Sequence, residues 1–414
     1  MTTGQTVTTG AAATGSGAAT WQRDASRDLL NVGGRLALLV RGEGSHVWDA
    51  DGTRYLDFLG GIAVNCLGHA HPVFVAAVAS QAQTLAHVSN YFATPPQLEL
   101  AARLKRLAGA GDDAHVFFAN SGSEANETAI KLARLHANQT GKRMILSLEH
   151  AFHGRTLGSL SLTPKPLYQD AFRPLLPDVG YIEPTISALE ADVDDTVAAL
   201  FVEPIQGEAG VVPLPDGFLR RARELTAAHG ALLIVDEVQT GVGRTGSWFA
   251  FQREGIVPDA MTLAKGIAAG FPLGAMITFG DHDLFYPGTH NSTFGGNPLA
   301  TAVGNAVLAE IEDADLLANV TARGAQLRAA VEGLPLVAGT RGEGLLIGIM
   351  LTASVAGAVR AAAQERGLII NAPTDDVIRI APAYTIGDAE IDEFTTLFAA
   401  ALSAVAASDP KEAA

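Results

Sequence analysis

The middle of the chain alternates short runs of apolar and β-branched residues with segments of helical periodicity. The runs predicted as strands cover residues 115–119, 144–148, 199–202, 231–235 and 275–279, and residues 124–139 between the first two have helical spacing of alanine and leucine. Strands that alternate with helices are typical of a parallel sheet covered by helices. The pattern therefore predicts an α/β fold with a mainly parallel central sheet.

The two ends of the chain have a different pattern. Residues 47–57 read as a hairpin around Asp51-Gly52, and after about residue 310 alanine-rich helices flank short strands near residues 345–350 and 377–380. We expect a smaller α+β domain built from both chain ends. The expected boundaries are a disordered tail at 1–20, an N-terminal segment of the small domain at 21–70, a large domain at 71–310, the C-terminal part of the small domain at 311–405, and a frayed tail at 406–414.

Composition excludes several classes of function. The net charge of −16 argues against nucleic acid as a partner, because phosphate attraction needs a basic surface. No apolar run reaches the roughly 18 residues of a membrane span, and the first residues lack a secretory signal, so we expect a cytoplasmic protein. The single cysteine, Cys66, is expected to be a small buried hydrophobe. His69 and His71 lack acidic partners at ligand spacing, so no metal site is expected.

The segment Asn120-Ser121-Gly122-Ser123-Glu124 follows an apolar run and opens the predicted helix. Ser121 and Glu124 have the spacing of a capping box. The first N–H groups of a helix have no partner within it, and the helix dipole adds positive potential there. The segment is therefore either a plain helix cap or a phosphate site.

Asp236 and Lys265 each follow an apolar run. Asp236 would lie at the carboxyl end of a buried strand, where open α/β sheets bind ligands. A buried carboxylate needs a partner, and the candidates are a protonated pyridine nitrogen, a metal ion or the next element's N-terminus. Lys265 precedes glycines at 266 and 270, an arrangement that suits an ordinary surface lysine or an amine made nucleophilic by desolvation.

From about residue 41 to 386 the chain resembles the class III aminotransferases, which are fold-type I pyridoxal-phosphate enzymes. The resemblance rests on motifs in the family's order: Asn120-Ser-Gly-Ser-Glu-Ala-Asn126, Phe152-His-Gly-Arg-Thr156, Glu203-Pro-Ile-Gln-Gly-Glu208, Asp236-Glu-Val-Gln-Thr-Gly241, Ala264-Lys-Gly266 and Ser292-Thr-Phe-Gly-Gly-Asn-Pro298. It implies the fold-type I architecture, pyridoxal 5'-phosphate as cofactor and ping-pong transamination between an amine donor and a keto acid.

The resemblance also implies roles for single residues. Lys265 would hold the cofactor as a Schiff base and later move the substrate proton, and Asp236 would keep the pyridine nitrogen protonated. Further cofactor contacts are implied for Phe152 on the ring face, Gln239 on the ring oxygen, Ser121, Gly122 and Ser123 on the phosphate, and Thr293 on the phosphate of the neighbouring subunit. The last contact implies a homodimer with shared active sites.

The segments Gly60–Pro72, Ser89-Asn90 and Pro96–Ala101 resemble those of the acetylornithine aminotransferases. These enzymes pass the distal amino group of N2-acetylornithine to 2-oxoglutarate in arginine biosynthesis. The resemblance assigns Asn90 to substrate binding. It implies that Arg155 holds the α-carboxylate of the donor and that Arg379 holds that of 2-oxoglutarate, with Glu208 neutralising Arg379 while the donor is bound.

One departure and several alternatives leave the donor open. After Arg379 the chain reads Ala381-Pro-Ala-Tyr384, whereas the family usually has Leu-Ala-Pro-Pro-Leu or a similar run. Ornithine, 4-aminobutyrate, succinylornithine and succinyldiaminopimelate aminotransferases are similar in scaffold. An aminomutase would retain Lys265 and the phosphate site, and a regulator that binds the cofactor without catalysis is an alternative of a different class.

Overall fold

The computed structural model of the protein describes residues 19–407. The tails expected at 1–20 and 406–414 lie outside the described residues, apart from residues 19–20 and 406–407, which are helical.

The elements are numbered in chain order. The strands are β1 (Leu39–Glu43), β2 (His46–Asp49), β3 (Arg54–Asp57), β4 (Val116–Ala119), β5 (Met144–Leu148), β6 (Val179–Ile182), β7 (Val197–Val202), β8 (Ile205–Gln206), β9 (Val212–Pro213), β10 (Leu232–Asp236), β11 (Ala260–Leu263), β12 (Gly274–Thr278), β13 (Val337–Glu343), β14 (Leu346–Leu351), β15 (Leu368–Ile369), β16 (Asn371–Thr374) and β17 (Val377–Ile380). The α-helices are α1 (Ala19–Asp28), α2 (Gly60–Ala63), α3 (Pro72–Thr84), α4 (Pro95–Ala108), α5 (Gly122–Thr140), α6 (Leu157–Ser161), α7 (Pro166–Gln169), α8 (Ile186–Asp192), α9 (Phe218–His229), α10 (Pro298–Asp313), α11 (Leu316–Val331), α12 (Ala356–Glu365) and α13 (Asp388–Ala407). Short 3-10 helices include Gly207–Ala209 and Lys265–Ala268.

The largest sheet has the strand order β4-β12-β11-β10-β7-β5-β6. Strand β10 pairs in parallel with β11 and β7, and β5 pairs in parallel with β7 and β6. Strand β12 runs antiparallel to both of its neighbours. All residues of β7 and β10 are buried, as expected for central strands covered on both faces. The predicted mainly parallel sheet is confirmed; the strand predicted at residues 275–279 is β12, and its antiparallel direction is not visible in the hydrophobic pattern.

The N-terminal and C-terminal parts of the chain share a sheet. Strands β2 and β3 form the expected hairpin, with Val47 opposite Tyr55, and β3 pairs in parallel with β15, with Leu56 opposite Leu368. A separate antiparallel sheet has the order β13-β14-β17-β16. The α/β fold class with a smaller region from both chain ends is confirmed, and the domain boundaries remain predictions.

Cys66 is fully buried, and burial raises the pKa of its thiol to about 12. The thiol is therefore protonated at neutral pH and acts as a small apolar group, as expected. Among residues 19–407, no helix is both long and apolar enough to cross a membrane.

The topology brings three motifs to one edge of the large sheet. Strands β4, β10 and β11 run in the same direction, because β12 is antiparallel to both β4 and β11. Helix α5 begins just after β4, Asp236 ends β10, and Lys265 follows β11. The carboxyl edge of an open sheet is where α/β proteins bind ligands.

Candidate active site

A cavity of about 410 Å³ opens at this edge of the large sheet. The predicted site residues that line it are Ser121, Gly122, Ser123, Phe152, Asp236, Gln239 and Lys265. The sequence motifs that carry them lie up to 144 residues apart (from position 121 to 265), so the fold, and not proximity in the chain, assembles the wall.

One wall of the cavity is the start of helix α5. Ser121 has an extended backbone, and its Oγ accepts a hydrogen bond from the N–H of Glu124 at 3.2 Å. The Glu124 carboxylate accepts from the N–H of Asn120 at 2.7 Å, one residue before the position that a strict capping box uses. A Cβ on Gly122 would lie 2.8 Å from Cγ1 of Val238, so glycine keeps the backbone accessible here. Before Glu124, the N–H groups of Gly122 and Ser123 at the start of the helix remain available for an anion.

Asp236 is 3% exposed and is held by several donors. Its Oδ2 accepts from Nδ2 of Asn126 at 2.8 Å and from Nδ1 of His153 at 2.7 Å, while Oδ1 accepts from the N–H of Val238 at 2.9 Å. Thr262 donates to Oδ1 of Asn126 at 2.8 Å and so fixes which end of that amide faces Asp236. The carboxylate is therefore oriented before any ligand arrives.

Two buried ionisable groups accompany Asp236. Burial disfavours protonation of His153, but the hydrogen bond and charge of Asp236 outweigh it, and the pKa of His153 is raised. Glu203 accepts from the N–H of Phe152 at 2.9 Å. Burial raises the pKa of Glu203 to about 7; the charge of Asp236 adds to this shift and the charge of His153 opposes it. Both shifts favour the protonated forms of His153 and Glu203, which reduces the negative charge around Asp236.

Lys265 combines an unusual backbone with a perturbed amine. Its φ is +49°, in the left-handed region that costs a non-glycine residue on the order of 1–2 kcal/mol. Burial lowers the pKa of Lys265 to about 8, with the charge of Glu208 opposing this shift and that of Arg379 adding to it. At pH 7 roughly a tenth of the amine is therefore neutral, and hence nucleophilic.

Beside the cavity lies an ion pair between Arg379 and Glu208. Arg379 is 2% exposed, and its Nη1 donates to Oε1 of Glu208 at 2.6 Å, to Oε1 of Gln239 at 3.1 Å and to the carbonyl of Gly207 at 3.1 Å. Its Nη2 donates to Oδ1 of Asn371 at 2.8 Å. Burial raises the pKa of Glu208, but the charge of Arg379 and its hydrogen bond outweigh that, and the pKa is lowered overall. The contact implied by the resemblance is present.

Arg155 lies exposed next to the cavity. The guanidinium carbon of Arg155 is 3.4 Å from the ring centroid of Tyr168 and 5.6 Å from that of Phe152. The backbone N–H of Arg155 donates to Oγ of Ser123 at 3.2 Å. Within residues 19–407 it forms no ion pair with a carboxylate. Arg155 is thus a cation stacked on an aromatic ring with its charge unneutralised, which suits recognition of a carboxylate.

Asn90 and Thr293 lie outside the lining of the cavity. Both are exposed, and the side chain of Asn90 contacts that of Asn291, two residues before Thr293. One chain brings these two residues close to each other but does not bring either into the cavity.

Sequence reasoning assigned no role to Asn126, Thr262, Glu203 or His153. Three of these residues lie inside quoted motifs, which was the available signal. Their mutual contacts join positions as far apart as 110 and 136 residues, and no local pattern records such pairings.

Comparison with known proteins identifies the family. Residues 29–402 match the family model for aminotransferase class-III. The acetylornithine aminotransferase of Streptomyces coelicolor is 52% identical over 373 residues, which cover 88% of this chain and 91% of that protein. The ornithine aminotransferase of Toxoplasma gondii superimposes with a TM-score of 0.88 at 32% identity, covering 93% of this chain and 95% of that chain. The N-acetylornithine aminotransferase of Stenotrophomonas maltophilia superimposes with a TM-score of 0.80 at 37% identity, covering 91% of this chain and 98% of that chain. The protein belongs to the class III aminotransferases.

Proposed function

We propose that this aminotransferase uses pyridoxal 5'-phosphate to transfer the distal amino group of N2-acetylornithine to 2-oxoglutarate in arginine biosynthesis. The observation that carries the proposal is the arrangement around one cavity: the Lys265 amine and Asp236 line it, and Gln239 connects it to the Glu208–Arg379 pair. The names of the Streptomyces coelicolor and Stenotrophomonas maltophilia proteins support acetylornithine as the donor.

The cavity residues fit this cofactor. Asp236 is a buried carboxylate that neither lysine nor arginine contacts among the described residues, so a protonated ring nitrogen would complete its environment. The glycine-containing start of helix α5 would hold the phosphate, Phe152 would stack on the ring and Gln239 would bind the ring oxygen. When bound, pyridoxal phosphate supplies an aldehyde carbon that takes up the amino group and a protonated ring that withdraws electrons.

Lys265 performs the chemical step of this chain. With the cofactor bound, the Lys265 amine would hold it covalently in the resting enzyme. When free, the Nζ of Lys265 would accept the proton from the substrate carbon that bears the transferred nitrogen. Because burial lowers the pKa of Lys265 to about 8, the free amine is available as a base near neutral pH. Asp236, which Asn126 and His153 hold in place, would keep the ring nitrogen of the bound cofactor protonated.

Two arginines select the substrates in this proposal. Arg155 binds the α-carboxylate of the donor, which directs the distal amine into the cavity. Arg379 binds the α-carboxylate of 2-oxoglutarate after Glu208 has moved away. While the donor is bound, Glu208 neutralises Arg379, so one pocket accepts two differently charged substrates.

The test is a donor panel with 2-oxoglutarate as acceptor, comparing kcat/KM for N2-acetylornithine, ornithine, 4-aminobutyrate and N-succinyldiaminopimelate. We expect the highest value for N2-acetylornithine. Ornithine is the second candidate donor, because the Toxoplasma gondii ornithine aminotransferase superimposes with a TM-score of 0.88. A higher kcat/KM for ornithine or 4-aminobutyrate would reject the proposed donor, and the absence of turnover with every donor would favour a regulator.

A cytoplasmic homodimer with shared active sites is part of the proposal. The loops that carry Asn90 and Thr293 also carry Tyr91, Phe92 and Phe294, which are 85%, 65% and 61% exposed. Large apolar side chains clustered on a surface are typical of a subunit interface. In a dimer of this kind Thr293 would complete the phosphate site of the partner and Asn90 would reach its substrate. A protein that stays monomeric in light scattering while active would contradict this arrangement.

A further inference from the structure

The Glu208 carboxylate needs a second partner when its ion pair with Arg379 opens. The two side chains are 2.6 Å apart, and Glu208 is 23% exposed while Arg379 is 2% exposed. If Arg379 takes a substrate carboxylate, the Glu208 carboxylate is left partly buried without its cation. Such a group is costly unless another positive charge or donor receives it.

The side chain of Lys165 contacts the backbone of Glu208 and not its carboxylate. Its Nζ donates to the carbonyl oxygen of Glu208 at 3.2 Å, across 43 residues of sequence. Its carbonyl accepts from the N–H groups of Tyr168 at 2.8 Å and Gln169 at 3.1 Å, which anchor the residue at the start of helix α7. The ammonium also lies 5.4 Å from the ring centroid of Tyr168. The backbone of Lys165 is thus anchored, and its ammonium lies next to Glu208.

The Lys165 ammonium forms no ion pair with a carboxylate among residues 19–407. Its charge nevertheless reaches the Glu208 carboxylate. Burial raises the pKa of Glu208, and the charges of Arg379, Lys265 and Lys165 lower it. Lys265 is unsuited to hold Glu208 during turnover, because its amine has to be neutral to accept a proton.

Resting on the proposed function, we infer that Lys165 receives the Glu208 carboxylate when a keto acid takes Arg379. The ammonium exchanges the backbone carbonyl of Glu208 for its carboxylate, and this exchange stabilises the open state of the pair. Lys165 is therefore a positioning residue for the acceptor half of the reaction only. The donor half leaves Glu208 on Arg379 and does not use Lys165.

The test compares Lys165→Met with the wild-type holoenzyme. We expect the KM for 2-oxoglutarate to rise about tenfold, the effect of one partly buried charge-assisted contact, and the KM for N2-acetylornithine to stay within about twofold. A second readout needs no turnover: calorimetric binding of glutarate, an unreactive dicarboxylate, should weaken by about the same factor. If Lys165→Met does not fold, Lys165→Gln, which retains a donor but no charge, is measured in its place.

Two matched variants separate charge from structure. Lys165→Arg keeps the cation and should keep the KM for 2-oxoglutarate within about threefold of the wild type. Lys142→Met removes a lysine that also donates to a backbone carbonyl, that of Asp195 at 2.7 Å, but lies away from the cavity, and it should change neither KM.

The outcomes distinguish the inference from the proposed function. Equal losses for both substrates, or an equal loss in Lys165→Arg and Lys165→Met, would mean a structural role and overturn the inference. Unchanged KM and glutarate affinity in Lys165→Met, in an enzyme that turns over 2-oxoglutarate, would overturn the inference alone. A wild-type enzyme that cannot use 2-oxoglutarate would overturn both.

Discussion

The lowered pKa of Lys265 can be tested through the two charges beside it. Burial places this pKa at about 8, against an ordinary value of 10.5, so the neutral fraction of the amine at pH 7 is about 300-fold larger than that of a solvated lysine. The Glu208 carboxylate raises this pKa and the Arg379 guanidinium lowers it. Glu208→Gln should therefore lower the pKa of Lys265 further, and Arg379→Met should raise it.

The assay is trace acylation of the cofactor-free protein between pH 6 and 11, followed by mass spectrometry of the peptide that contains Lys265. Only the neutral amine reacts, so the labelling rate follows deprotonation. A small amine of known pKa in each reaction calibrates the reagent dose at each pH. The midpoint for Lys265 should lie near 8 in the wild type, lower in Glu208→Gln and higher in Arg379→Met.

A wild-type midpoint near 10 would refute the argument that burial controls this amine. Movement of both variants in the same direction would refute the opposing roles of Glu208 and Arg379. The sign of the linkage gives an independent check. Because the folded pKa lies below the unfolded one, the unfolded chain binds more protons between pH 8 and 10.5, and the cofactor-free protein should gain stability as pH rises through that window.

Three further predictions concern specificity and stability. Glu208→Gln should leave Arg379 free and improve kcat/KM for ornithine relative to N2-acetylornithine by about tenfold; an unchanged ratio in steady-state kinetics would contradict the switch. Arg155→Lys should raise the KM for N2-acetylornithine about tenfold, because an ammonium lacks the bidentate fork, and a KM equal to the wild type would exclude Arg155 from donor binding. Burial raises the pKa of Glu237 to about 7, so the folded protein holds a proton that the unfolded chain releases, and it loses stability as pH rises from about 4.5 to 7. In urea unfolding at pH 8, Glu237→Gln should recover up to about 3 kcal/mol of unfolding free energy. Parallel pH profiles of stability for the variant and the wild type would contradict this prediction.

The sequence predicts five of the seven strands of the large sheet from their apolar runs and misses β6 and β11 (Ala260–Leu263). Strand β6 (Val179–Ile182) lies at the sheet edge with one residue of four buried, so its hydrophobic signal is weak. The antiparallel direction of β12 depends on which strands it pairs with, and its composition matches that of a parallel strand. Strand order is likewise a property of the assembled sheet.

For the site, motifs predict the residues that line the cavity better than they predict how these residues are held. Seven assigned residues line it together, yet the buried support of Asp236 by Asn126 and Thr262 depends on contacts across more than a hundred positions. The roles assigned to Asn90 and Thr293 involve a neighbouring subunit, so a single chain leaves them as predictions. The sequence gives no signal for Lys165, because a single lysine between two prolines has no distinguishing pattern.

Gln239 has a consequence for any attempt to redesign this enzyme. Its side chain forms part of the cavity wall, is 6% exposed, and accepts a hydrogen bond from Arg379 at 3.1 Å. If Arg379 binds the keto acid as proposed, the acceptor subsite and the cavity share the Gln239 amide, so a substitution at position 379 also removes a contact of the cavity wall. Variants of position 379 that are made to admit new keto acids should be screened for cofactor retention first. A substitution there removes a hydrogen bond of Gln239, which also lines the cavity.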